Sequence, residues 1–198
     1  RWYAADGEIM LCGHGSLAAI AYLKQEGVRL HYRDGFVEGS QHSDHAFTLK
    51  IDPILSEENN YDPQIAKGLG VDIQTYLTND NKHLVVLANE AEVRSMKPNF
   101  QLLKDCEPFG YIVTSRGESF DFVSRTIVPK VKQLEDPATG SSHAVLTPYW
   151  SKLLNKENLK AAQLSNRGGK FNCKYVNNQV ELTGEIYTLA SGTLPIPK

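Results

Sequence analysis

Cysteine is scarce: Cys12, Cys106 and Cys173 are the only three, an odd count at wide spacing that fits neither a disulfide framework nor a CxxC zinc site. A reducing compartment, the cytoplasm, is the expected location. Long apolar runs are also lacking. The longest, around Leu17 to Leu23, falls far short of the roughly 20 residues a membrane span needs, and no signal-like apolar stretch opens the sequence. A membrane is therefore not an expected partner. Charge of one sign is missing too: 21 Lys and Arg stand against 23 Asp and Glu, a net charge of −2. Without a basic field there is nothing to hold a phosphate backbone, so nucleic acid is not expected and small molecules become the default ligands. What remains is an ordinary globular composition, 41% hydrophobic and 22% charged, which excludes a disordered tail or a fibre. A chain of 198 residues buries roughly 70% of its extended surface, enough for one core or two smaller ones.

Patterning along the chain is mixed. Glu8 to Cys12 reads as a strand that turns at Gly13-His14-Gly15-Ser16 into an Ala- and Leu-rich helix stopped at Gly27. Val28 to Tyr32 and Ala46 to Ile51 read as strands, with Glu38 to Asp44 a polar loop between them. Asp52 to Asp62, with its Pro, Asn and acids, is the one convincing linker, and separates a first unit, residues 1–55, from a second, residues 62–198. In the second unit, Pro63 to Gly68 and Glu90 to Met96 suggest short helices. His83 to Leu87, Gly110 to Thr114 and Phe120 to Arg125 suggest strands. Glu135 to Leu154 is a second strand, turn and helix unit, and Lys170 to Thr193 alternates as antiparallel strands about an Asn177-Asn178 turn. The fold class is α+β with mostly antiparallel strands. Setting Gly13 over Gly140 aligns GHGSLAAIAYL with GSSHAVLTPYW, which share the glycine and a tyrosine, Tyr22 and Tyr149. Each half would then send one helix N-terminus toward a common place.

Gly13-His14-Gly15-Ser16-Leu17-Ala18 formally satisfies a dinucleotide fingerprint, with Asp34 as its acid. The alternating Val28 to Arg33 and the lack of a βαβ continuation argue against a parallel nucleotide-binding sheet. What survives is a helix N-terminus, whose open amides suit an anion such as a carboxylate; the competing reading is a tight turn with His14 bonded locally. In Glu135-Asp136-Pro137-Ala138-Thr139-Gly140-Ser141-Ser142-His143, the proline holds Asp136 extended, so its carboxylate can project toward the amides around Gly140 and Ser141. That makes it a candidate general base, against the alternative of an Asx turn with Ser141 or Ser142 as helix cap. Gln163 to Gly169 offers Arg167 and a glycine pair that either orders an anion or forms a polar turn. Glu38, His42 and His45 have metal-ligand types in a loop without further company, so no metal is expected. Cys12 reads as a buried strand cysteine, with a thiolate at the helix end as the alternative. A Ser-His-Asp triad has no G-x-S-x-G elbow to anchor it.

Arg1-Trp2-Tyr3, Leu11 to Ala18, Asp121 to Arg125, Glu135 to His143, Pro148-Tyr149-Trp150 and Gln163 to Gly169 together closely resemble the PhzF-like, phenazine biosynthesis-like family, in family order over essentially the whole chain. The resemblance implies the diaminopimelate epimerase-like fold: two lobes, each a curved, mostly antiparallel sheet around a central helix, with the site between them. The last strand is a candidate to cross back to the first lobe. It further implies an isomerase that transfers a proton at carbon without a cofactor, acting on a small carboxylate, with a homodimer as the default assembly. Carried over, the catalytic residues are Asp136 and His14, and the substrate-binding residues are Gly13, Gly140 and Ser141. Cys12 matches the first thiol of the related two-cysteine epimerases, but Thr139 stands in place of the second, which argues against a two-thiol racemase. Two departures lie at the front. Ala4-Ala5 replaces the Thr-Pro of the family, and the leading segment is missing ahead of Arg1, with its Ser-Glu-Thr-like glutamate that the resemblance implies as the principal acid/base, assisted by Asp136. The sequence is therefore expected to be a fragment or an inactive remnant, the alternative function being that of a non-catalytic metabolite- or protein-binding member of the fold.

Overall fold

Strands covered on both faces are apolar at consecutive positions, whereas strands with one wet face alternate, and this chain contains both kinds. Its structure, a computed structural model, describes residues 2–4, 7–9, 12–32, 35–80 and 82–193. The first part contains β1 (Trp2–Ala4), β2 (Gly7–Ile9), α1 (Gly13–Leu23), β3 (Val28–Tyr32), β4 (Gly35–Gln41) and β5 (Ala46–Ile51). There follow β6 (Glu57–Glu58), α2 (Pro63–Leu69), β7 (Thr75–Thr78), β8 (His83–Val86), α3 (Glu90–Ser95), α4 (Phe100–Lys104), β9 (Tyr111–Arg116) and β10 (Phe122–Val128). Last come β11 (Leu134–Asp136), α5 (Gly140–Leu154), β12 (Asn158–Gln163), β13 (Gly169–Val176) and β14 (Gln179–Glu185).

The architecture is α+β. β1 and β2 form a small hairpin, and the other 12 strands make one sheet in the order β3-β4-β5-β14-β13-β12-β10-β9-β8-β7-β6, with β11 attached to β10. Its ladders are antiparallel except for β8 with β9 and β10 with β12. The boundary at the linker is bridged by backbone: β14 pairs with β5 from Val180↔Ile51 to Glu185↔Ala46. One edge of β10 is shared. Its first half pairs parallel with β12, and its second half, from Thr126↔Asp136 on, pairs antiparallel with β11. This fork delivers Asp136 to the start of α5.

The core has two parts on opposite faces of the β7 to β10 region. Leu84, Val86, Ile112 and Phe122 point toward α5 and join Ile20, Leu49 and Trp150. Val85, Val113 and Val123 point the other way, onto Ile65, Val93 and Leu103 of α2, α3 and α4. Trp150 stacks on Phe122 with ring centroids 5.8 Å apart, and its indole N–H donates to Thr114 Oγ1 at 3.1 Å, so the largest core side chain has its polar atom satisfied.

Several boundaries differ from the sequence reading for local reasons. α1 ends at Leu23, four residues before Gly27, because Lys24 itself takes the left-handed conformation (φ 49°) and its N–H closes on Ile20 O at 3.1 Å. Gly27 (φ 68°) instead makes the turn into β3. Glu38 to Gln41 is strand and not loop: a Cβ on Gly39 would sit 2.0 Å from Ile20 Cδ1, so the glycine is there to let α1 lie on β4. The linker holds the two-residue β6, which pairs with Thr78 and Leu77. β7, α4 and β12 were not anticipated, and the tail is regular only as far as Glu185. The Asn177-Asn178 turn is as expected, with φ of 51° and 57°. Arg1, Ala5, Leu11 and Asp34, which carried parts of the sequence argument, lie outside the described residues.

Candidate active site

Two helices begin at one place. α1 is preceded by Cys12 and α5 by Thr139, both extended, and neither side chain caps its helix. Each helix therefore presents the amides of its first turn outward, with the positive end of its dipole. Their tips nearly touch: a Cβ on Gly13 would lie 3.1 Å from Gly140 Cα, and one on Gly140 would lie 3.2 Å from Gly13 Cα. Any side chain at either position would have to push the two main chains apart by a few tenths of an ångström. The tips form part of the wall of a cavity of ≈ 750 Å³ that Cys12, His14, Asp136, Thr139 and Ser141 also line. Tyr3, Phe109, Val128 and Val131 give it an apolar side. All five residues named from the sequence, Gly13, His14, Asp136, Gly140 and Ser141, thus line this one cavity.

The segment from Asp136 to Thr139 is held from below. The Gln163 side chain, 1% exposed, accepts from Thr139 N–H at 2.9 Å and donates to Thr139 Oγ1 at 3.1 Å and to Asp136 O. Thr139 Oγ1 in turn donates to Asp136 Oδ2 at 2.8 Å, fixing the carboxylate at the mouth of the turn. The N-cap position is held by Thr139, two residues before Ser141 and three before Ser142, without a capping bond from its side chain. Ser142 is buried and accepts from Thr126 Oγ1 at 3.0 Å. The segment around Arg167 is a brace: Ser165 Oγ donates to Pro137 O at 2.7 Å and accepts from Gly168 N–H at 3.0 Å, while a Cβ on Gly169 would press on Ala138 at 3.1 Å. Arg125 anchors the other side, its guanidinium forking onto Glu135 with both bonds at 2.8 Å and reaching Met96 O at 2.7 Å.

Cys12 is not the buried strand cysteine expected. It is half-buried at the tip of α1, with Sγ 3.8 Å from His14 Nε2. Its counterpart at the tip of α5 is Thr139, whose hydroxyl is already engaged with Asp136 and Gln163. His143 is a core residue: fully buried, stacked on Phe171 at 3.7 Å, its Nδ1–H donating to Thr139 O at 2.8 Å. Burial pushes its pKa down to about 4, so it stays neutral. Among the metal-type residues, Glu38 is paired to Arg29 at 2.6 Å and His45 stacks on Tyr187.

The sequence reading missed Lys82. It is 7% exposed, lines the same cavity, and donates from Nζ to Ser141 Oγ at 3.2 Å. Burial lowers its pKa to about 8, against the opposing pull of Asp136. Its place in a polar turn ahead of β8 carried no signal of this, because the turn reaches α5 only through the folded sheet.

The sequence matches the phenazine biosynthesis-like protein family, PhzC-PhzF, over residues 1–192. The chain belongs to this family. Among phenazine biosynthesis-like relatives, it is 36% identical over 98% of its length to an uncharacterized isomerase of Pseudomonas aeruginosa, of which it covers 76%. A second uncharacterized isomerase, from Halalkalibacterium halodurans, is 32% identical, with 98% of this chain and 77% of the relative covered. Two solved phenazine biosynthesis-like structures superpose closely. The PhzF-family protein of Enterococcus faecalis has a TM-score of 0.88 at 34% identity, covering 96% of this chain and 75% of that one. The PhzC/PhzF protein of Clostridium difficile has a TM-score of 0.89 at 34% identity, covering 99% and 78%. The isomerase names borne by curated phenazine biosynthesis-like relatives support an isomerase by family. Among the described residues, no helix is long and apolar enough to cross a membrane.

Proposed function

We propose that this protein is a cofactor-independent isomerase that moves a proton at carbon in a small carboxylate held between α1 and α5. The observation that carries this is the approach of Gly13 to Gly140, which aims two helix N-termini at one spot on the wall of a cavity. Open first-turn amides and two dipoles favour an anion there. Asp136 stands beside that spot with its carboxylate fixed by Thr139, in position to accept a proton from the carbon next to the bound carboxylate. His14, at the tip of α1, orients the substrate and serves proton transfer from the first lobe's side. Loss of the proton adds negative charge to the carboxylate, so the amides hold the transition state more strongly than the ground state.

The test is solvent deuterium uptake, read by mass spectrometry across small cyclic and amino-acid-like carboxylates. At least one is expected to take up deuterium at a single carbon, and Asp136→Ala should slow this by about 10²- to 10⁴-fold. Undiminished uptake would remove Asp136 from the reaction. Carboxylates that raise the melting temperature yet never exchange would instead mark a non-catalytic binding protein of this fold.

A further inference from the structure

Threonine is one of the residues that cap a helix N-terminus well, because its oxygen accepts from an amide of the first turn. Thr139 holds that position on α5 and makes no such bond. Its hydroxyl is committed elsewhere, and its neighbours fix the direction. Gln163 has one usable amide orientation: Oε1 accepts from Thr139 N–H, and Nε2 donates to Asp136 O. The same Nε2 donates to Thr139 Oγ1 at 3.1 Å, so the hydroxyl accepts from Gln163 and gives its own hydrogen to Asp136 Oδ2 at 2.8 Å. The chain of bonds from Gln163 through Thr139 to Asp136 therefore runs one way. Thr139 is 6% exposed and Gln163 1%, which shelters the chain from water. Ser165 Oγ, donating to Pro137 O at 2.7 Å, stiffens the same segment.

We propose that Thr139 is a positioning residue for proton transfer: by filling Asp136 Oδ2 with its own hydrogen, it confines the proton taken from the substrate to Oδ1. A carboxyl group that gains a proton can carry it on either oxygen, and only the oxygen that meets the substrate can give it back. With Oδ2 kept as an acceptor, the carbon–hydrogen bond breaks, the proton goes to Oδ1, and the electron pair moves into the substrate carboxylate as an enediolate. Return of a proton from Oδ1 to carbon restores the carboxylate on both sides. The same commitment removes Thr139 from the acids of the site, since its hydrogen is held by Asp136 and not offered to the cavity. This role rests on the reading of Asp136 as the base.

The test compares Thr139→Val, which keeps the shape and loses the hydroxyl, with Thr139→Ser, which keeps the hydroxyl. Benzoate, a carboxylate without an exchangeable carbon next to it, reads binding alone; wild type and both variants should bind it within about threefold of one another, because Gln163 still holds Thr139 N–H and Asp136 O. The three-bond coupling between the Asp136 amide nitrogen and its γ-carbon, measured by NMR on isotope-labelled protein, should report one rotamer in wild type and Thr139→Ser and an average in Thr139→Val. In deuterium uptake by the small cyclic and amino-acid-like carboxylates, kcat should fall about 10- to 100-fold in Thr139→Val with KM within about threefold, and Thr139→Ser should recover it. Undiminished kcat in Thr139→Val would overturn the role of Thr139 whatever the rotamer shows, and leave Asp136 as base provided Asp136→Ala still slows uptake. A loss that Thr139→Ser does not recover, or that benzoate affinity shares, would assign the effect to packing and overturn it too. If the wild type exchanges no proton in any of these carboxylates, the reading of Asp136 falls and the role of Thr139 with it. Should Thr139→Val not fold, Thr139→Ala, which also lacks the hydroxyl, decides by the same measurements.

Discussion

Adding one methyl group at Gly140 tests the geometry on which the site depends. The new Cβ would sit 3.2 Å from Gly13 Cα, a main-chain atom of another helix that cannot rotate aside. Gly140 does not need a left-handed backbone, so alanine is conformationally allowed, and its helix preference even favours it by up to about 1 kcal/mol. Against this, relieving the overlap means parting two packed helix tips by a few tenths of an ångström, and overpacking of this kind costs about 1–3 kcal/mol. The net expectation for Gly140→Ala is a loss of about 1 kcal/mol in urea denaturation. Carboxylate binding should fall by about tenfold or more, because donors on both tips leave their shared focus. Gly192→Ala, with nothing near its Cβ, is the control. A Gly140→Ala protein that is as stable as wild type and binds carboxylates equally well would refute the claim that the two helix ends act together.

Gln163→Leu should cost about 2–4 kcal/mol in the same assay, since it strands Thr139 N–H and Asp136 O in a buried turn, and it should weaken carboxylate binding through the displaced Asp136. Acid should destabilise the fold through His143. Its native pKa, about 4, lies below the unfolded value, so its contribution is full above about pH 6.5 and is lost as pH falls through 4; between pH 7 and 5 the urea midpoint should report a loss of about 2 kcal/mol, and His143→Gln should shrink that slope. His83, also lowered by burial, adds in the same direction. Arg125→Lys cannot reproduce the fork onto Glu135 together with the reach to Met96 O, and should lower stability by about 1–3 kcal/mol; equal thermal and urea midpoints would show the network to be dispensable.

Much of the site was legible because it is built from residues with few alternatives. Gly13 and Gly140 are favoured by a close main-chain contact, so their correspondence across the chain is visible even though Tyr22 is 86% exposed and Tyr149 half-buried. Asp136 was readable because the following proline fixes its backbone. Elements whose form depends on a distant partner were not readable. Gly39 looks like a loop residue until Ile20 is laid across it. β12, rich in Ala, Asn, Lys and Gln, has little intrinsic strand character, and is a strand because β10 and β13 flank it. Lys82 belongs to the same class, its neighbour Ser141 lying far along the chain.

The seam between β5 and β14 sets a timetable for the nascent chain. Ile51 must wait for Val180, about 130 residues later, before its outer hydrogen bonds are made, so the first lobe leaves the ribosome with one strand edge open throughout synthesis of the rest. Folding should therefore be slow and should end with closure of this seam. The interval before closure is when the chain is most exposed to pairing with a neighbour, and when a chaperone would have most to do.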